Sequence, residues 1–140
     1  MTTTARDIMH AGTQCIAEDQ TLDEAARMMR DLGVGALPIC GNDEKLHGII
    51  TDRDIVIKCI AEGKDPSACT AAELAQGKVT WVDADTDMVT IVETMGREQI
   101  KRLPVMADHK LVGMISEADL AKHLDDRQLS RFVEGVFARP

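Results

Sequence analysis

Apolar positions along this chain switch between two periods, one helical and one extended. Leu22, Ala25, Ala26, Met29 and Leu32 recur at helical spacing, the stripe by which an amphipathic helix faces a core. Thr21-x-x-Glu24 in front of them has the form of a capping box, and Gly33 behind them is a natural stop. Two short apolar runs follow, over residues 36–40 and 46–51, separated by a polar turn; they predict a pair of strands. The same succession then returns. Met88, Ile91, Val92 and Met95 repeat the helical spacing, and strands are expected over 102–106 and 111–116. A short strand precedes each helix, at 13–17 and 79–83, and a further helix begins directly after Thr51 and after Ser116. Each half therefore reads β-α-β-β-α.

The repetition extends to residue identity. Thr4-Ala5 matches Thr70-Ala71, Asp19 matches Asp85, and Leu37-Pro38 matches Leu103-Pro104 at one constant offset. After a residue is dropped in the turn, Gly48 matches Gly113, Ile50 matches Ile115, and Asp54 matches Asp119. The expected divisions are a first repeat over 1–62, a linker over 63–69, a second repeat over 70–125, and a C-terminal segment over 126–140. A unit of this size buries too little core alone, so the two are expected to pack together as an α/β pair. In the last segment Leu129, Phe132, Val133, Val136 and Phe137 form an apolar stripe, so an amphipathic helix there docks on the repeats or on a second copy. Cys59 with Ile55 and Ile60 is expected in the core. The eight methionines read as adaptable core filler.

Composition narrows the function. The net charge is −8, from 16 basic and 24 acidic residues, which argues against a nucleic-acid backbone as partner. The aromatic residues are only Trp81, Phe132 and Phe137, too few for a base-stacking platform. Residues 1–9 lack the basic start and apolar run of a signal peptide, and no stretch is long and apolar enough for a membrane span. Cys15, Cys40, Cys59 and Cys69 form no C-x-x-C pair, so the expectation is a cytoplasmic protein with mostly reduced thiols. His10, His47, His109 and His123 are scattered. They suggest neither a catalytic triad nor a metal site, and a non-enzymatic role without a firm cofactor is expected.

Each half ends in a distinctive motif: Gly48-Ile49-Ile50-Thr51-Asp52-Arg53-Asp54, and Gly113-Met114-Ile115-Ser116-Glu117-Ala118-Asp119. Preceded by Leu37-Pro38-Ile39 and Leu103-Pro104-Val105, these resemble the CBS domain, and the tandem resembles a Bateman module. The resemblance implies two β-α-β-β-α repeats in a pseudo-two-fold pair, with adenosyl ligands such as AMP, ATP or S-adenosylmethionine held in clefts between them. By position, Asp54 and Asp119 would hold ribose hydroxyls, and Thr51 and Ser116 would contact phosphate. Arg53 and Arg102 would add charge, while Ile16, Leu37, Pro38, Val82, Leu103 and Pro104 would line the base pocket. Glu117 makes the second site less suited to a phosphorylated ligand. The resemblance further implies a regulatory, stress-linked protein that forms a homodimer and acts on a separate protein effector. It sets the strands carrying Cys15 and Cys40 side by side, so that a disulfide can join them.

Two other readings of these residues stand beside the first. Ser/Thr-x-x-Asp is also the form of a helix cap, and it recurs at Thr4-x-x-Asp7 with no ligand role. Alternatively, the chain is a dimeric interaction module without a small molecule, redox-responsive through Cys15 and Cys40.

Overall fold

The structure, a computed structural model, describes residues 2–43, 45–75 and 79–137. In chain order its elements are α1 (Ala5–Ile8), β1 (His10–Ala11), β2 (Ile16–Ala17), α2 (Leu22–Leu32), β3 (Ala36–Cys40) and β4 (Leu46–Thr51). Then come α3 (Asp52–Ile55), running into a π-helical turn (Val56–Ile60), α4 (Ala71–Leu74) and β5 (Val82–Asp83). The chain ends with α5 (Met88–Glu98), β6 (Arg102–Ala107), β7 (Lys110–Ser116), α6 (Glu117–Ala121) and α7 (Asp126–Phe137). These form two compact units, Gln14–Val79 and Met1–Thr13 together with Thr80–Pro140.

In the Gln14–Val79 unit, β2 pairs parallel with β3, and β3 pairs antiparallel with β4. A core of Ile16, Leu22, Ala25, Met29, Leu37, Ile39 and Ile50 lies between this sheet and the helices. Thr21 and Glu24 cap α2 reciprocally, and Gly33 ends it in the left-handed conformation, which costs glycine no steric penalty. Cys59 and Ile55 are buried as expected, but Ile60 is more than half exposed. The π-helical turn explains the departure: Ala61 N–H bonds back to the carbonyl of Val56, five residues earlier. The following turn then closes on Cys59, whose carbonyl accepts from Lys64, and leaves Ile60 outside.

The other unit builds a sheet in the order β1-β7-β6-β5. Ile91, Met95, Leu103, Val105, Ile115 and Leu120 fill its core. The C-terminal stripe is accounted for here, because α7 packs along α5 and buries Phe132 and Val136.

The compact units cut across the sequence repeats. Helix α1, at the head of the first repeat, lies in the unit built from the second: Ala5 and Arg6 donate their N–H groups to Thr86 and Ala84 carbonyls. Helix α4, at the head of the second repeat, does the same in the Gln14–Val79 unit, with Ala71 and Ala72 bonded to Gln20 and Glu18. Each sheet therefore receives the leading helix of the opposite repeat at the same register.

This exchange explains why both family motifs begin with glycine. A β-carbon at Gly113 would meet the His10 carbonyl oxygen at 2.8 Å, and one at Gly48 would meet the Ala75 β-carbon at 3.1 Å. The entering segment thus lies directly on the glycine. Gly113→Ala is expected to destabilise the protein by about 1–3 kcal/mol, the usual cost of overpacking, as a lower urea midpoint. Gly48→Ala is expected to cost less, since its contact is longer. Equal midpoints for Gly113→Ala and the parent protein would contradict this.

Candidate functional site

The motif side chains of each unit sit where a strand passes directly into a helix. At the end of β4, Thr51 is the N-cap of α3. Its backbone N–H donates to Asp54 Oδ2 at 3.0 Å, and Asp54 N–H donates to Thr51 Oγ1 at 3.1 Å. That reciprocal pair is a capping box. The second Asp54 oxygen, Oδ1, faces the ammonium of Lys58 at 3.2 Å. Both side chains of this ion pair are partly open to solvent, at 22% and 37%, and such pairs are worth little in net stability. Arg53 lies beside them and is exposed.

The equivalent junction in the other unit is more closed. Ser116 caps α6 and donates its N–H and hydroxyl to Asp119 Oδ2, at 2.8 and 2.9 Å. The same Oδ2 receives His10 Nδ1 at 2.8 Å, from the neighbouring strand β1. Burial pushes the Asp119 carboxyl up, but the Ser116 N–H, His10 and the Ser116 hydroxyl outweigh it and hold it below the usual carboxylate range. Asp119 ionises more readily folded than unfolded, so it adds stability above the unfolded-state value near pH 4. That contribution is lost as pH falls through the lower folded value. Asp119→Asn is accordingly expected to lower the urea midpoint at neutral pH, with the deficit shrinking below pH ~4. A deficit independent of pH would contradict this.

Arg102 is engaged close by: it donates to the Lys101 carbonyl at 2.9 Å and lies 3.8 Å from Glu117. Glu117 thus draws the charge that sequence reasoning offered to a phosphate. Ile16, Leu37 and Pro38 are buried in one unit, and Val82, Leu103 and Pro104 in the other. Ala36, next to Leu37, stands opposite Thr51 in the β3–β4 register.

Cys15 and Cys40 are joined by a disulfide, with Cα atoms 5.7 Å apart. It bridges the segment before β2 to the end of β3. Beside it, His47 links two carboxylates, Glu18 at 3.3 Å and Asp43 at 3.0 Å. Cys59 and Cys69 remain free thiols. Among the described residues no three His, Cys, Asp or Glu side chains are grouped so as to hold a metal ion. Nor is any described helix long and apolar enough to cross a membrane.

Sequence reasoning found the two motif pairs but missed His10 as a partner of Asp119. The residues lie 109 positions apart, and only the exchange of leading segments brings them together.

Two strand-to-helix junctions closed by Thr51/Asp54 and Ser116/Asp119, on repeated mixed α/β units, define a tandem repeat of one α/β domain. The CBS-domain family model matches residues 5–60 and 71–126, and the chain belongs to that family. It is 48% identical over 134 residues to Hypoxic response protein 1 of Mycobacterium tuberculosis, covering 96% of this chain and 94% of that protein. A crystal structure of Hypoxic Response Protein I with two coordinated zinc ions superposes with a TM-score of 0.80 at 51% identity, over 88% of this chain and all of that one. A CBS-domain protein of Thermoplasma acidophilum, TA0289, superposes at 0.87 over 99% of this chain and 79% of that one. At 17% identity the likeness to TA0289 is one of fold alone.

Proposed function

We propose that this chain is a non-enzymatic regulatory protein that binds an adenosyl ligand of the AMP, ATP or S-adenosylmethionine class through Thr51, Arg53 and Asp54. The observation that carries the reading is the state of Asp54 Oδ1. Among the described residues it faces the partly exposed Lys58 ammonium, while Oδ2 keeps the helix cap intact. A carboxylate can accept two hydrogen bonds from vicinal ribose hydroxyls, and displacing an exposed lysine costs little. The exposed Arg53 guanidinium supplies charge for a phosphate or carboxylate, and by the family resemblance the base would lie on the side of Ile16, Leu37 and Pro38, which are buried here.

The test is thermal unfolding of the protein with AMP, ATP or S-adenosylmethionine, each with Asp54→Ala in parallel. Ligand at 100 times its Kd adds about 2.7 kcal/mol and raises the melting temperature by several degrees. The expected rise occurs with at least one ligand and disappears in Asp54→Ala, whose own lower baseline reflects the lost cap. No rise with any ligand would overturn the reading.

A second reading draws on the Cys15–Cys40 disulfide: a cytoplasmic, stress-linked dimer that signals redox state to a protein effector. Disulfides in reducing compartments are usually redox-responsive. The exposed Val56, Ile57 and Ile60 supply an apolar face for a second copy. Zinc is said of the crystallised relative alone; among the described residues of this chain no three His, Cys, Asp or Glu side chains are grouped to hold it.

A further inference from the structure

The two motif carboxylates are alike in sequence and unlike in what already touches them. Asp54 meets a lysine at the end of a flexible side chain. Asp119 meets His10, an imidazole fixed on a strand whose register, His10 opposite Met114, is set by antiparallel pairing with β7. Three donors converge on Asp119 Oδ2, and its side chain is only 13% exposed. His123, the other histidine nearby, bonds the Asp119 backbone carbonyl at 3.1 Å and leaves the carboxylate alone. A ribose diol approaching Asp119 would have to displace the His10 ring from Oδ2, a ring 47% exposed and presented there by the pairing of β1 with β7.

We infer that His10 is an intramolecular competitor at the second motif site: it occupies Asp119 Oδ2, which a ribose diol bridging both carboxylate oxygens would need, and confines adenosyl binding to the Asp54 unit. The inference deepens the proposed function and rests on it for the chemistry of the ligand. In this arrangement His10 is a specificity-determining residue, converting a repeat with two equivalent motifs into a protein with one ligand site.

Calorimetric titration with AMP as the probe separates the two claims. The parent protein is expected to bind one AMP per chain, and His10→Ala two. Asp54→Ala is expected to bind none, and the double variant Asp54→Ala/His10→Ala one, which Asp119→Ala then removes. His10→Val, a residue suited to strands, repeats the measurement should alanine unfold β1, with a circular dichroism melt showing that each variant is folded. One AMP for the parent and still one for folded His10→Ala and His10→Val overturns the role of His10 and leaves the Asp54 reading intact. No binding by the parent but one AMP for Asp54→Ala/His10→Ala overturns the Asp54 reading and upholds the competitor. No binding by any variant overturns both.

Discussion

Phe132→Ala is expected to lower stability by about 3–5 kcal/mol, the range for removing a large aromatic ring from a packed interior. Phe132 is 2% exposed, on a helix otherwise rich in charge. It belongs to the same cluster as Ile91, Met95 and Leu120, with Val136 one turn further along α7. The lost ring leaves a cavity between α7 and α5, and α7 has little else with which to hold that contact. Phe137 provides the internal comparison. It is 46% exposed, with the Lys101 ammonium 4.4 Å above its ring, and Phe137→Ala is expected to cost well under half as much. Urea midpoints of the two variants decide the matter. A small loss for Phe132→Ala, or equal losses for both, would show that α7 is not part of the unit's core.

Removing the Cys15–Cys40 bond is expected to cost about 3 kcal/mol. The crosslink closes a segment with a sequence separation of 25, and constraining a loop of that length in the unfolded chain has roughly that value. For a protein of this size the change corresponds to a fall of about 10 °C in melting temperature. Reduction with a thiol and the Cys15→Ser/Cys40→Ser variant should give similar falls, whereas Cys69→Ser, at a partly exposed free thiol, should not reproduce the thiol effect. If thiol leaves the melting temperature of the protein unchanged while the double serine variant melts lower, the bond resists the reductant used. If neither treatment changes it, the crosslink adds no stability.

Much of this fold was legible because the chain states it twice. The limits of β3 and β4 follow from the apolar runs between the Gly33 stop, the polar turn and the Thr51 cap, and the same logic places β6 and β7. The strands expected over 13–17 and 79–83 are shorter than the apolar pattern suggests, two residues in both β2 and β5. The capping boxes at Thr51 and Ser116 were readable from Ser/Thr-x-x-Asp, a local pattern with a local cause. The exchange of α1 and α4 was not readable. A repeat shows which segments are alike, but like segments can dock on either of two like sheets. The contact between His10 and Asp119 follows from that exchange, so it too was hidden, as was the outward position of Ile60 beyond a single π-helical turn. The family resemblance implied that Cys15 and Cys40 lie on adjacent strands, but the sequence alone favoured reduced thiols, whereas in the structure the two are bonded.

The central claim is that ligand binding is located at the Thr51–Asp54 junction, and backbone amide shifts of isotopically labelled protein titrated with AMP test it most directly. The account predicts saturable shifts centred on Thr51, Arg53 and Asp54 and on Leu37 alongside, with the amides of Ser116, Asp119 and His10 unmoved. Saturable shifts centred elsewhere, or none at millimolar AMP, would contradict it.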